Sequence, residues 1–184
     1  YNLEFKGVGL SPDLYLPHQY KSSDHDPVII GLNLTAPSIT WADDSWAALP
    51  NGSEVTPAFP AASGTHIIGY DAFDTIQEAV NAVAVGGTTY VVDGNYTEAL
   101  YLYKEITLTG AGSATTIVKA PATLPSYTWN STMTPLVGVD RTTAYISGFT
   151  FDGDGKGDGA GQFVGVHFWT SNGSLTDSVL IGMR

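Results

Sequence analysis

FDTIQEAVNAVAVGGTTYVVDGNYTEALYLYKEITLTGAGSATTIV, Phe73 to Val118, is the stretch that decides the fold. Its first part has the period of a helix and its second part the texture of strands. Ile76, Ala79, Val80 and Val83 fall at i, i+3, i+4 and i+7, one apolar stripe. Asp74 stands three residues ahead of Gln77, so the two can form a capping box at the helix start. Gly86 and Gly87 stop the helix.

Working outward from the helix, everything that follows is short strand and turn. Strand composition is found at 88–92, 97–102, 105–109, 115–119, 135–139, 143–151, 164–169 and 175–181. The separators are DGN, a turn at Lys104, GAGSA, DGDGKGDGAG and SNGS. Short strands at close spacing without intervening helices predict either an antiparallel sandwich or a solenoid. The single amphipathic helix ahead of them favours the solenoid, because a stack of coils has an open end that must be covered.

Composition supports an all-β class. The 184 residues are 43% hydrophobic and 14% charged, with 21 Gly and 10 Pro, a globular pattern rich in turns. Without Cys, a disulfide framework and a thiolate metal site are both excluded. Net charge is −11. Residues 1–34 set Lys6 and Lys21 against Glu4, Asp13, Asp24 and Asp26, a net −2, which leaves −9 for residues 35–184. That part repels phosphate backbones and is not expected to bind nucleic acid. No apolar run approaches the length of a membrane span, so no membrane partner is expected. There is no signal-peptide pattern and residue 1 is Tyr, so the chain reads as an internal piece or a processed product. Residues 35–64 carry Pro37, Pro50, Pro57 and Pro60 without a period and read as a linker or an extended lead-in.

The region from about 65 to 184 resembles the start of the pectate-lyase-like right-handed parallel β-helix family. The likeness is carried by the quoted stretch and by the later AYISGFTFDG and GVHFWTSNGSLTDSVLIGM. The resemblance implies a right-handed parallel β-helix with one N-terminal capping helix. It implies little about activity, since that fold hosts lyases, hydrolases, adhesins and stalks. About three coils fit before Arg184, and the last leaves its strand edges open to self-association.

Residues 1–34 resemble the C-terminal end of the endonuclease/exonuclease/phosphatase superfamily, in particular its secreted bacterial nucleases. YNLEFK at 1–6 and YKSSDHDPVIIGL at 20–32 carry that likeness. The resemblance implies that this segment is the last strand of an α/β-sandwich phosphodiesterase domain in a secreted, extracellular multidomain protein. It makes His25 the catalytic imidazole, Asp24 its orienting or metal-binding carboxylate, and Ser23 a supporting hydrogen-bonding residue, with a divalent metal such as magnesium as cofactor. The rest of that machinery would come from a domain larger than this chain. The chain by itself is expected to be inert as a nuclease, and the remaining segment to need no cofactor and to serve as a stalk, adhesive or binding module.

Two further sites are read from the residues. Asp152, Asp154 and Asp158 occupy positions 1, 3 and 7 of a calcium-loop pattern that fails at Lys156 and Phe163. Trp129 and Trp169 are candidate sugar-stacking residues, with Trp41, Trp46, Tyr101 and Tyr103 as further aromatics of that kind. A polysaccharide or cell-surface ligand is the corresponding partner. Arg141 shows no acidic constellation beside it in sequence, which counts against a lyase. The competing expectation is a self-assembling structural protein that uses strand addition and coil stacking.

Overall fold

The computed structural model of the protein describes residues 35–128, 132–158 and 162–184. Ser23, Asp24, His25 and Trp129 lie outside the described residues. The fold is mostly β, with parallel sheets and one α-helix.

After a lead-in, the chain visits three sheets in turn and in the same order each time. β5 (Gly87–Val91), β6 (Gly94–Thr97) and β7 (Leu100–Leu102) make the first pass. β8 (Ile106–Gly110) and β9 (Thr116–Lys119) follow, then the hairpin of β10 (Tyr127–Thr128) and β11 (Thr132–Asp140). β12 (Thr143–Ser147), β13 (Thr150–Asp152) and β14 (Phe163–Trp169) make the third pass. β15 (Asn172–Thr176) and β16 (Val179–Ile181) begin another. Each strand pairs in parallel with its counterpart one pass earlier: β5 with β8, β8 with β12, β12 with β15, β6 with β9, β9 with β13, β13 with β16, β7 with β11 and β11 with β14.

The sequence reading merges strands that the structure separates. The runs 97–102, 143–151 and 175–181 each contain a corner between two sheets. At Gly148 the corner needs a φ of +81°, and a Cβ there would lie 2.6 Å from the Gly110 carbonyl oxygen. Only glycine accepts both conditions. Inward residues of all three sheets share one core, with Leu100, Leu102, Ile106, Leu108, Ile146, Phe149 and Phe151 fully buried.

The stretch 35–64 is an ordered lead-in. β1 (Ile39–Ala42) lies inside the six-stranded sheet, between β5 and β4 (Ala72–Phe73). β2 (Glu54–Val55) pairs antiparallel with β3 (His66–Ile67). Trp41 and Trp46 are buried with Val55, Ile68 and Ala72 in a second small core, so neither is a sugar platform. His66 stacks on Trp41 with ring centroids 3.6 Å apart. Its Nδ1 lies 2.8 Å from Asp71 Oδ2 and its Nε2 2.9 Å from the Ser63 carbonyl oxygen.

α1 (Ile76–Ala82) packs Ile76, Ala79 and Val80 into the main core, the face its periodicity predicts. Its start is shifted by one residue from the predicted box. Thr75 is the N-cap and accepts from the Glu78 N–H, while Glu98 takes the Ile76 and Gln77 N–H groups at 2.8 and 2.9 Å. Gln77 is thereby free for another task. Its side-chain oxygen accepts from the Tyr101 N–H at 2.7 Å, and its amide nitrogen donates to the Tyr101 carbonyl at 3.2 Å. One side chain thus continues the ladder at the edge of β7. At the other helix end, Lys104 donates to the carbonyls of Asn81 and Val83.

Gln77→Ala should cost about 1–3 kcal/mol, because it leaves a part-buried N–H and C=O without partners. Glu98→Ala should cost about 1–2 kcal/mol through loss of the cap. Burial pushes the Glu98 carboxyl above its ordinary value. Its contribution to stability therefore declines as pH rises from the ordinary carboxylate range through the folded value. Urea midpoints measured between mildly acidic and neutral pH should show both costs, and a flatter pH profile for Glu98→Ala. Unchanged midpoints would contradict this account of the covered end.

Candidate functional site

The sheet of β7, β11 and β14 turns Leu100, Leu102, Val137, Val139, Val166 and Phe168 toward the core. Alternation sends their neighbours outward. Register then places Tyr101, Gly138 and His167 side by side, and Asp140 beside Trp169. Residues far apart in sequence thus share one outer face.

Three tyrosines build a row there. Tyr127, on β10, stacks on Tyr101 with centroids 4.9 Å apart and ring planes 11° apart. Tyr103, just past β7, lies 5.9 Å from Tyr101 at 26° and is about half exposed. The Lys104 ammonium sits 5.6 Å from the Tyr103 ring centroid. Burial pushes the Tyr127 hydroxyl above its ordinary value.

A fixed polar group adjoins the row. The Asp140 side chain is only 4% exposed, whereas that of Arg141 is 72% exposed. Arg141 takes a φ of +50°, a left-handed conformation that folds its side chain back over its neighbour. Its Nη2 donates to Asp140 Oδ2 at 3.1 Å. Its Nε approaches Oδ1 at 3.1 Å off the hydrogen-bond direction, so charge holds that contact. The Tyr101 hydroxyl donates to the same Oδ2 at 2.5 Å. That bond to Asp140, aided by burial and the Asp140 charge, pushes the Tyr101 hydroxyl up to about 12. Tyr101 therefore stays protonated near neutrality and serves as a hydrogen-bond donor, not a base. The His167 ring stands edge-on to Trp169, centroids 6.3 Å apart at 76°.

The structure brings together Tyr101, Tyr103 and Trp169 from the aromatics singled out in sequence. It adds Tyr127, Asp140, Arg141 and His167, which sequence reasoning did not group. Arg141 does have an acidic partner, its own neighbour Asp140. Two of the three calcium-loop carboxylates, those of Asp152 and Asp154, have partners within the fold. Asp152 accepts from the Asp154 N–H at 2.9 Å, and Asp154 pairs with Lys119 at 3.0 Å. Among the described residues no three His, Cys, Asp or Glu side chains converge as a metal group. A cavity of about 610 Å³ beside α1 is lined by apolar Trp46, Leu49 and Phe73 and by acidic Asp74 and Glu78.

Because the Tyr101 O–H is held by a carboxylate, its stabilising bond is intact below the ordinary tyrosine range and is lost as pH rises through about 12. Ultraviolet titration of tyrosinate should show, among the late-titrating hydroxyls, one component that is lost in Tyr101→Phe, and Asp140→Asn should shift that component down. An unchanged late titration in Asp140→Asn would remove the link between the two groups.

No protein-family model matches the chain, and no curated protein matches it.

Proposed function

We propose that residues 35–184 are the opening coils of a right-handed parallel β-helix that works as a carbohydrate-binding module. The same proposal takes the module to follow the end of a secreted, metal-dependent phosphodiesterase domain, the part residues 1–34 resemble. The observation that carries the binding role is the stack of Tyr127, Tyr101 and Tyr103 beside the Asp140–Arg141 pair on one outer sheet face.

Sugar rings present apolar C–H faces and polar hydroxyl rims. The tyrosine row offers apolar faces and edges for the first, and the polar group offers hydrogen bonds for the second. Arg141 has five N–H donors in a rigid fork, and its exposed head leaves donors for a ligand. Asp140 is buried and already bonded, so it positions Arg141 and Tyr101 and stays away from the ligand.

Titration calorimetry of the whole chain with neutral and acidic oligosaccharides tests this. Tyr103→Ala with Tyr127→Ala should weaken binding by about tenfold or more, equivalent to roughly 1.4 kcal/mol. Arg141→Ala should weaken it separately. No binding across the panel, or full affinity in the double variant, would sink the reading.

A further inference from the structure

A second outer face, on the six-stranded sheet, has a different chemistry. β5, β8, β12 and β15 run parallel and in register across it. One rank across the four strands reads Thr88, Thr107, Tyr145, Ser174. The next reads Tyr90, Thr109, Ser147, Thr176. The alternating positions Thr89, Leu108 and Ile146 are buried, which fixes these two ranks as the outer ones.

All eight positions carry a hydroxyl and none carries a charge. The Tyr90 ring packs against Trp41 and Phe59 at the second small core, so the open part of the array lies over the other seven. No hydroxyl among them has a hydrogen-bond partner among the described residues. Several hydroxyls elsewhere in the fold are used internally. Thr40 pairs with Thr89, Thr150 donates to the Ser113 carbonyl, and Ser171 and Ser178 donate to carbonyls at strand ends. Tyr145 stands half exposed near the middle of the array. The grid repeats about every 4.8 Å between strands and about every 6.6 Å along them.

We propose that this face docks a neutral polysaccharide. A hydroxyl both donates and accepts, so it pairs with a sugar hydroxyl in either orientation. A cation-free face in a segment of net charge −9 gives no attraction to an anionic polymer. The Tyr145 ring adds a surface for sugar C–H groups. A repeating polymer meets the same contact on successive strands, so weak single contacts sum along its length. The surface deepens the carbohydrate-binding reading but stands on its own sheet, independent of the tyrosine row.

The test is co-sedimentation of the whole chain with microcrystalline cellulose, chitin and an insoluble anionic polygalacturonate gel. The native protein should partition onto at least one neutral polymer and stay off the anionic one. Thr107→Asp with Thr109→Asp should reduce that partition about tenfold, by placing unpaired carboxylates against the polymer. Made in the Tyr103→Ala/Tyr127→Ala background, Thr107→Asp with Thr109→Asp should still lower whatever partition remains, which separates this surface from the tyrosine row. Tyr145→Ala, at an exposed position, should lower the partition with an unaltered melting curve and serves where the aspartate pair fails to fold. The proposal is overturned if the native protein stays in the supernatant with every neutral polymer. It also fails if the gel binds equally well, or if neither Thr107→Asp/Thr109→Asp nor Tyr145→Ala changes the partition.

Discussion

From β5 onward, every core strand finds its parallel partner one pass away, and that long-range register fixes all else in the described fold. Parallel strands cannot be joined by a tight hairpin, so each pass must travel through the other two sheets before it returns. The inward alternation of each strand is held by burial, because a slip of one residue would turn Leu108 or Ile146 to solvent and a threonine or tyrosine to the core. With the inward set fixed, the outward set has no freedom. Both outer faces follow from the same pairing.

A stack of parallel strands leaves backbone groups without partners at its first pass. Here the sealing is polar as well as apolar. α1 covers the core with Ile76, Ala79 and Val80, while Gln77 completes the ladder at Tyr101 and Glu98 completes the helix start. β1 seals the six-stranded sheet from the same side by pairing with β5. The residue that closes the edge of β7 thus bonds to the backbone of Tyr101, whose side chain lies at the centre of the aromatic row. Stability of the covered end and placement of the row are therefore coupled through one residue.

The helix stripe and the texture of short strands were legible because both are local periodicities. The linker reading of 35–64 came from its prolines, which obscured the four-residue β1 and the burial of Trp41 and Trp46. Corners such as Gly148 were hidden because strand composition continues through them. The candidate site was legible only as aromatic residue types. Its assembly depends on Tyr101 facing Gly138 and on Asp140 facing Trp169, and no spacing rule in one sequence encodes a register that includes a hairpin insertion between β9 and β11. Asp140 and Arg141 stand adjacent in sequence, yet alternation would send neighbouring side chains to opposite faces. The left-handed φ of Arg141 is what reunites them.

That reunion also sets the charge of the tyrosine face. Asp140 is buried, and its negative charge is matched by the guanidinium bound to it, while Tyr101 donates a third contact. The pair as a whole is neutral. What it shows to solvent is a set of N–H donors without the net positive field that would select a carboxylate or phosphate. Hydroxyl acceptors on an uncharged sugar meet those donors at lower desolvation cost than an anion would, since charged groups lose more on leaving water. The hydroxyl grid has no charges to pair. On the proposed reading, two faces built from different residues would meet the same class of uncharged partner, against the background of an acidic chain.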